Sequence, residues 1–421
     1  VTTTNKIALP KDLLSPAVTA VVKALEAYPT KLVGGAVRDA VLGRTNPDVD
    51  IATAAPPAEV IKHLESRNIK VVPTGLAHGT VTAVAGTQNI EITTLRRDTA
   101  TDGRHAEVVF TTSFEEDAAR RDFTFNALYM TLDGEVTDYH NGIDDLRNGH
   151  VTFIGDPATR IKEDYLRVLR FFRFIAYYGR VMPDAAVLKA VTENTAGMAK
   201  LSAERVTKEW LKILSAPKPA SAVRLMTMCH LPQVLGMGTL AFEALARFDM
   251  SFPAMNAPLN RWACLLWPRP DAVALSADNE RFALSNEQKD SLRTMFDVRA
   301  EEVDSRHLHR LAYRLTPEAL TLRLACDAAH GQRDVKSTLD QISQIAAMKV
   351  PPFPLKAADL QAVGVPAGPE LGQTLNELKE WWIDADFPGL QACRLQLENV
   401  VTQRKAKAAA AQAAKAAVQS A

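Results

Sequence analysis

Two aspartates, Asp48 and Asp50, stand one residue apart in the segment Leu32–Thr53, LVGGAVRDAVLGRTNPDVDIAT. On an extended chain residues i and i+2 share a face, so both carboxylates point the same way while Val49 and Ile51 turn into a core. Neighbouring carboxylates repel each other unless a cation sits between them. Hard oxygen donors at this spacing suit Mg²⁺, which takes one or two protein carboxylates plus substrate phosphates. Upstream, Gly34-Gly35 closes a buried strand and opens a short helix that runs to Leu42 and stops at Gly43. Its free backbone N–H groups and positive dipole end suit phosphate, and Arg38 adds a charge-assisted donor. Taken singly, the glycine pair reads as a tight turn and the DxD as a solvated strand end. Together they point to metal-dependent nucleotidyl transfer.

The elements around this segment are short. From Lys31 to about Ile154 strand and helix signals alternate: Glu59–Ser66 is a helix after Pro56-Pro57, and Val81–Val84 and Asn89–Thr94 are strands about a turn at Gly86. Glu91, facing away from Ile90 and Ile92, is either a third metal carboxylate or a solvated strand glutamate. Beyond Asp156 the periodicity becomes helical. Asp156-Pro157 starts a helix and Gly179 stops it. Between them Ile161, Tyr165, Val168, Leu169, Phe172, Ile175 and Ala176 form an apolar stripe. Opposite lie Glu163, Arg167 and Arg170, with Asp164 within reach of Arg167 at i+3. Three prolines in Lys349–Pro354 mark a second break, and Lys405–Ala421 reads as a frayed helix or a disordered tail.

The order GG-x-x-R-D-x(8)-D-x-D resembles the nucleotidyltransferase superfamily that includes DNA polymerase beta. The wording LVGGAVRD…PDVDIAT is closer to the bacterial and eukaryotic branch of CCA-adding enzymes and poly(A) polymerases. Arg120-Arg121-Asp122-Phe123-Thr124-Phe125-Asn126-Ala127 matches that family's RRDFTxNA element, and EDYLRVLR, Glu163–Arg170, its EDxxRxxR element. With DYHNGIDDL (Asp138–Leu146) and LSAERVTKEWLKIL (Leu201–Leu214), five motifs run in order over Leu32–Leu214. The resemblance implies an α+β, polymerase-beta-like head over residues 1–155 and an all-α remainder. The latter divides into a neck at 156–216, a body at 217–348, a tail at 349–404 and an Ala/Lys-rich extension at 405–421.

The implied roles follow residue by residue. Asp48 and Asp50 hold Mg²⁺; Gly34, Gly35, Arg38, Arg120, Arg121 and Asn126 serve the nucleotide, with the arginines on phosphate. Asp122 accepts from a ribose hydroxyl. Asp164 and Arg167 act as a protein template for the Watson–Crick edge of C or A, Glu163 orients them, and Arg170 lies near the triphosphate. Glu204 and Arg205 buttress the template helix. The charged stretch Arg96–Val108, with Arg97, Asp102 and Arg104, resembles the flexible loop used in switching from C to A. Asn141 stands where the family usually has glycine, a structural position. The Gly368–Gly372 turn, GPELG, either sets a helix N-terminus against tRNA phosphates or is a helix–turn–helix packing unit.

Composition narrows the classes. The 421 residues are 47% hydrophobic and 23% charged, with 49 basic and 49 acidic side chains, so a basic nucleic-acid surface must be local. No apolar run could span a bilayer, and no secretory signal is visible at the start. Cys229, Cys264, Cys326 and Cys393 lie far apart without a CxxC, which fits reduced thiols in a cytoplasmic protein and argues against zinc. No adjacent His-Asp pair suggests an HD-type phosphohydrolase. The implied activity is addition of CCA to the tRNA 3′ end from CTP and ATP; oligomeric state is left open. A poly(A) polymerase would carry a basic signature after the metal strand, which Val72–Gly79 lacks. CC-only and A-only enzymes, and an inactive RNA-binding scaffold, remain as alternatives.

Overall fold

The computed structural model describes residues 2–10, 13–46, 48–101, 106–267, 279–296, 308–349 and 351–419. The chain divides into two compact units. One comprises the described residues of Val1–Ala246, Asn256–Leu266 and Ala274–Ser285; the other, those of Arg247–Met255, Trp267–Val273 and Asn286–Ala421.

The first unit is built on an eight-stranded mixed sheet. Its strands are β1 (Thr3–Lys6), β2 (Thr30–Val33), β3 (Asp50–Thr53), β4 (Lys70–Gly75), β5 (Thr80–Ala85), β6 (Gln88–Thr94), β9 (Leu128–Met130) and β10 (Glu135–Asp138), ordered β1-β10-β9-β2-β3-β6-β5-β4. Only β3 and β6 run parallel, and their register sets Asp50 beside Glu91. Alternation sorts the side chains. Leu32, Val49, Ile51, Ile90 and Ile92 enter one core, under helices α1 (Pro16–Ala24), α2 (Gly35–Val41) and α3 (Pro57–Glu65). Val33, Ala52 and Tyr129 enter a second core on the other face with Phe114 of α4 (Phe114–Ala119). Asp50, two residues before Ala52, is on this second face.

Three local expectations need correction. The second strand begins at Asp50, so Asp48 precedes it on exposed backbone. The stretch Arg96–Val108 is largely a ladder: β7 (Arg96–Thr101) pairs with β8 (Ala106–Phe110), while Asp102 and Arg104 lie outside the described residues. The single helix from Asp156 to Gly179 is two, α6 (Pro157–Glu163) and α7 (Leu166–Tyr178). Asp164 interrupts it with φ −151° and ψ 105°. Its carboxylate accepts from the Leu166 N–H at 3.0 Å, the local competition by which aspartate opens a helix. The starting cap is as expected, Asp156 accepting from the Thr159 N–H at 2.7 Å. The stripe is buried apart from a half-buried Tyr165, and Leu166, Phe171 and Phe174 are buried as well.

Helix α5 (Gly142–Asn148) ties the head together. Its N-cap Asn141 has φ 62°, a left-handed geometry in which asparagine is the usual substitute for glycine. A Cβ on Gly142 would sit 2.3 Å from the Thr124 carbonyl oxygen, so only glycine fits there. Helix α8 (Ala185–Asn194) packs on α6, and α7 packs on α9 (Ala203–Leu214) and on the helix Pro219–Met228.

The second unit is helical, including Pro317–Ala329, Val335–Ala347, Pro369–Asp384 and Leu390–Gln419, the last continuing into the segment read as a tail. One of its cores gathers Leu360, Leu378, Trp382, Ile383 and Leu397. No described helix is long and apolar enough to cross a membrane. The four cysteines are buried.

Candidate active site

A cavity of about 610 Å³ opens in the first unit, within the size range of small-molecule sites. Gly34, Gly35, Arg38, Asp39, Asn46, Asp48, Asp50, Arg121, Asp122 and Asn126 come to it from the head, and Arg170, Arg173, Phe174, Tyr177, Tyr178 and Lys212 from α7 and α9. Segments more than 100 residues apart thus meet in one place, with cations and carboxylates interleaved.

Gly34, at φ 76°, turns the chain between β2 and α2, and a Cβ there would lie 3.3 Å from the Asp50 Oδ2. Asp50 opens onto the cavity, yet enough protein surrounds its carboxyl for burial to push it up to about 6; the nearby charge of Glu91 adds to this, Arg121 opposes it, and Asp48 adds again. Three acids therefore crowd one another electrostatically, which is the excess of negative charge that a divalent cation relieves. Asp48 and Asp50 line the cavity and Glu91 does not. Among the described residues no three His, Cys, Asp or Glu side chains are grouped to hold an ion. The donor set fits a hard cation held by two protein carboxylates, with its other positions left to phosphate or water.

Arg121 and Asp122 diverge from adjacent positions. Asp122 is 8% exposed; its Oδ1 accepts from the Phe123 N–H at 2.9 Å and the Asn126 Nδ2 at 3.0 Å, and its Oδ2 from the Arg170 Nε at 2.6 Å. Burial works against its charge, but Arg170 and these hydrogen bonds outweigh it and hold the carboxyl below its ordinary range. Asn126 in turn accepts from the Arg38 Nη1 at 2.7 Å. The Arg38 guanidinium lies 4.8 Å from the Tyr178 ring centroid and 5.4 Å from that of Phe174. Gly34, Gly35, Arg38, Arg121, Asp122, Asn126 and Arg170 thus line one cavity.

Arg120 is placed elsewhere. It pairs with Asp117 at 2.5 Å and donates to the Arg96 carbonyl at 3.0 Å, outside the cavity lining. Asp117, which sequence reasoning passed over, is 1% exposed and also accepts from Arg121 at 3.0 Å and the Tyr129 hydroxyl at 2.7 Å. Burial would raise its carboxyl, but the two arginines and the Tyr129 hydrogen bond bring it down to about 2. The only sequence signal was an acid three and four residues before an Arg-Arg pair on a helix.

Glu163, Asp164 and Arg167, expected as the template group, are not part of the cavity lining. Glu163 pairs with Arg167 at 2.5 Å and with Arg160 at 2.6 Å. Asp164 does not reach the Arg167 side chain; it pairs with Arg205 of α9 at 2.8 Å. Glu204 is exposed, and the other α9 contact is Glu209, 5% exposed, which holds Arg173 at 2.8 Å. Arg97 is exposed near Glu116 at 3.9 Å. In the second unit Gly368, at φ 133°, caps Pro369–Asp384, and Gly372 lies within that helix.

Comparison with known proteins agrees with this geometry. The Poly A polymerase head domain family matches residues 30–152, and the family described as probable RNA and SrmB- binding site of polymerase A matches residues 183–236. The chain is 33% identical over 384 residues to the mitochondrial CCA tRNA nucleotidyltransferase 1 of Homo sapiens, covering 85% of this chain and 83% of that protein. It is 36% identical over 276 residues to the CCA-adding enzyme of Lactiplantibacillus plantarum, 63% of this chain and 66% of that one. The crystal structure of the Bacillus stearothermophilus CCA-adding enzyme in complex with CTP superimposes with a TM-score of 0.71 at 25% identity, covering 94% of this chain and 100% of that one. With the glycine turn at Gly34-Gly35 and the carboxylates Asp48 and Asp50 at one cavity, the chain belongs to the CCA-adding tRNA nucleotidyltransferase family and is a nucleotidyltransferase.

Proposed function

We propose that this chain adds C, C and A in turn to the 3′ end of tRNA, taking CTP and ATP with Mg²⁺ and choosing the base with its own side chains. The observation that carries the reading is the Arg170–Asp122 contact at 2.6 Å. It joins the cavity holding Asp48 and Asp50 to the helix that begins just after Asp164 and carries Arg167. A divalent ion on Asp48 and Asp50 would supply positive charge to the attacking 3′-hydroxyl oxygen and the departing pyrophosphate. Arg121 and Arg170 offer charge to the phosphates, and Asp122 retains an acceptor for a ribose hydroxyl. No nucleophile from the protein is needed, since positioning and charge carry the reaction. Glu91, one strand from Asp50, is our candidate for a third carboxylate acting behind the pair.

Poly(A) addition is the second reading, favoured by the shared head. The absence of a basic signature in Val72–Gly79 weighs against it. Four cysteines set far apart without a CxxC support a reducing compartment, for which we propose the cytoplasm. The test uses labelled CTP or ATP with tRNA lacking CCA, tRNA ending in CC, and an unstructured RNA. The reading expects CTP into the first, ATP into the second and nothing into the third. Incorporation of A into all three contradicts it.

A further inference from the structure

Asp39 belongs to none of the roles so far assigned, yet it joins three parts of the cavity wall. Its Oδ1 accepts from the Tyr178 hydroxyl at 3.0 Å, a contact across 139 residues from α2 to the last turn of α7. Its Oδ2 accepts from the Asn46 Nδ2 at 2.7 Å. The Asn46 Oδ1 accepts in turn from the Asp48 backbone N–H at 3.0 Å. Both acceptor atoms of Asp39 are thus engaged, and its side chain is 14% exposed. Burial holds the Tyr178 phenol above its ordinary range, with Arg38 opposing and Asp39 adding to the shift, so the hydroxyl is a donor. The segment thereby steadied carries Asp48, which lies ahead of β3 and lacks the ladder that fixes Asp50.

We propose that Asp39 is a positioning residue. Through Asn46 it sets the backbone that aims the Asp48 carboxylate, and through Tyr178 it makes that aim depend on the seat of α7. A hydrogen-bonded strut of this kind lets the helix that carries the selecting end of the neck also set the metal-binding end of the head. The inference rests on reading Asp48 as a metal-binding carboxylate.

Because the links are in series, cutting any one should cost about as much as cutting two. Tyr178→Phe removes only the hydroxyl and keeps the ring beneath Arg38; Asn46→Ala removes the second link. We expect each to lower kcat about tenfold with KM for CTP changed less than about twofold, and the double variant to lose about tenfold as well, against about a hundredfold for independent sites. Mn²⁺ binding to the full chain without nucleotide or tRNA, followed by electron paramagnetic resonance of free Mn²⁺, should weaken about threefold or more in both single variants, with thermal midpoints near wild type. Multiplying losses in the double variant, unchanged Mn²⁺ affinity, or losses that merely track a falling midpoint overturn the proposal. Asp48→Ala is the control: if it binds Mn²⁺ as wild type does, the metal reading fails, and the strut is then judged on the double-variant rates alone.

Discussion

Arg170 on α7 donates its Nε to the Asp122 Oδ2 at 2.6 Å, across 48 residues and between the head and the neck. The contact is buried on the aspartate side, so each charge depends on the other for the solvation both have lost. Cutting it should do more than weaken one hydrogen bond. Arg170→Ala is predicted to destabilise the chain by about 3 kcal/mol in urea unfolding, the usual cost of leaving a buried charge unpaired, and to raise KM for both CTP and ATP. A variant as stable as wild type would place the pair in solvent.

Asp50→Ala should abolish addition of C and of A alike while tRNA retention in a gel-shift assay stays within about twofold of wild type, because the carboxylate serves charge and not RNA contact. Turnover near wild type would remove Asp50 from the metal site.

Asp164 and Arg205 are expected to act together, since they share an ion pair at 2.8 Å. Both Asp164→Ala and Arg205→Ala should blur the choice between CTP and ATP more than they slow the chemistry. Arg205 is about half exposed, so its loss should move stability by under about 1 kcal/mol. Selectivity that survives in both variants would refute the template role.

Acid should loosen the head through Asp117. Its carboxyl titrates at about 2 in the folded chain against an ordinary 3.8. A depressed carboxyl stabilises the fold at pH above its unfolded value and loses that contribution as pH falls through its folded one. Wild type should therefore lose about 2 kcal/mol between pH 5 and pH 2 that Asp117→Asn does not lose, read from urea midpoints across that range. Parallel curves for the two proteins would contradict the assignment.

Two glycines make opposite predictions. Gly142→Ala drives a Cβ to 2.3 Å from a backbone oxygen and should cost about 3 kcal/mol or more. Gly372→Ala, in a helix with open space around it, should gain about 0.5–1 kcal/mol. Thermal unfolding of each variant checks both signs.

What the sequence made legible was local. Gly34, Arg38, Asp122 and Arg170 sit in contiguous motifs whose spacing already encodes a turn, a cap or a helix face, and the fold brings them to one cavity. Asp117 and Glu209 escaped notice, and Asp39 was legible only as a letter of the glycine-turn motif, because their partners are distant in the chain or ordinary in kind. An aspartate that accepts from a tyrosine 139 residues away has no local pattern. The helix from Asp156 was misread for a related reason. Its apolar stripe runs straight through Asp164, but the pull of Arg205 and of the Leu166 N–H opens the backbone there. Tertiary contact overrode periodicity at a residue expected to serve function.

The central claim is tested most directly by sequencing the 3′ ends made on a tRNA lacking CCA when CTP and ATP are supplied together at equal concentration. The account predicts products that stop at CCA, with CC as the only accumulating intermediate. Runs of A, or ends that stop at CC with ATP present, would contradict it.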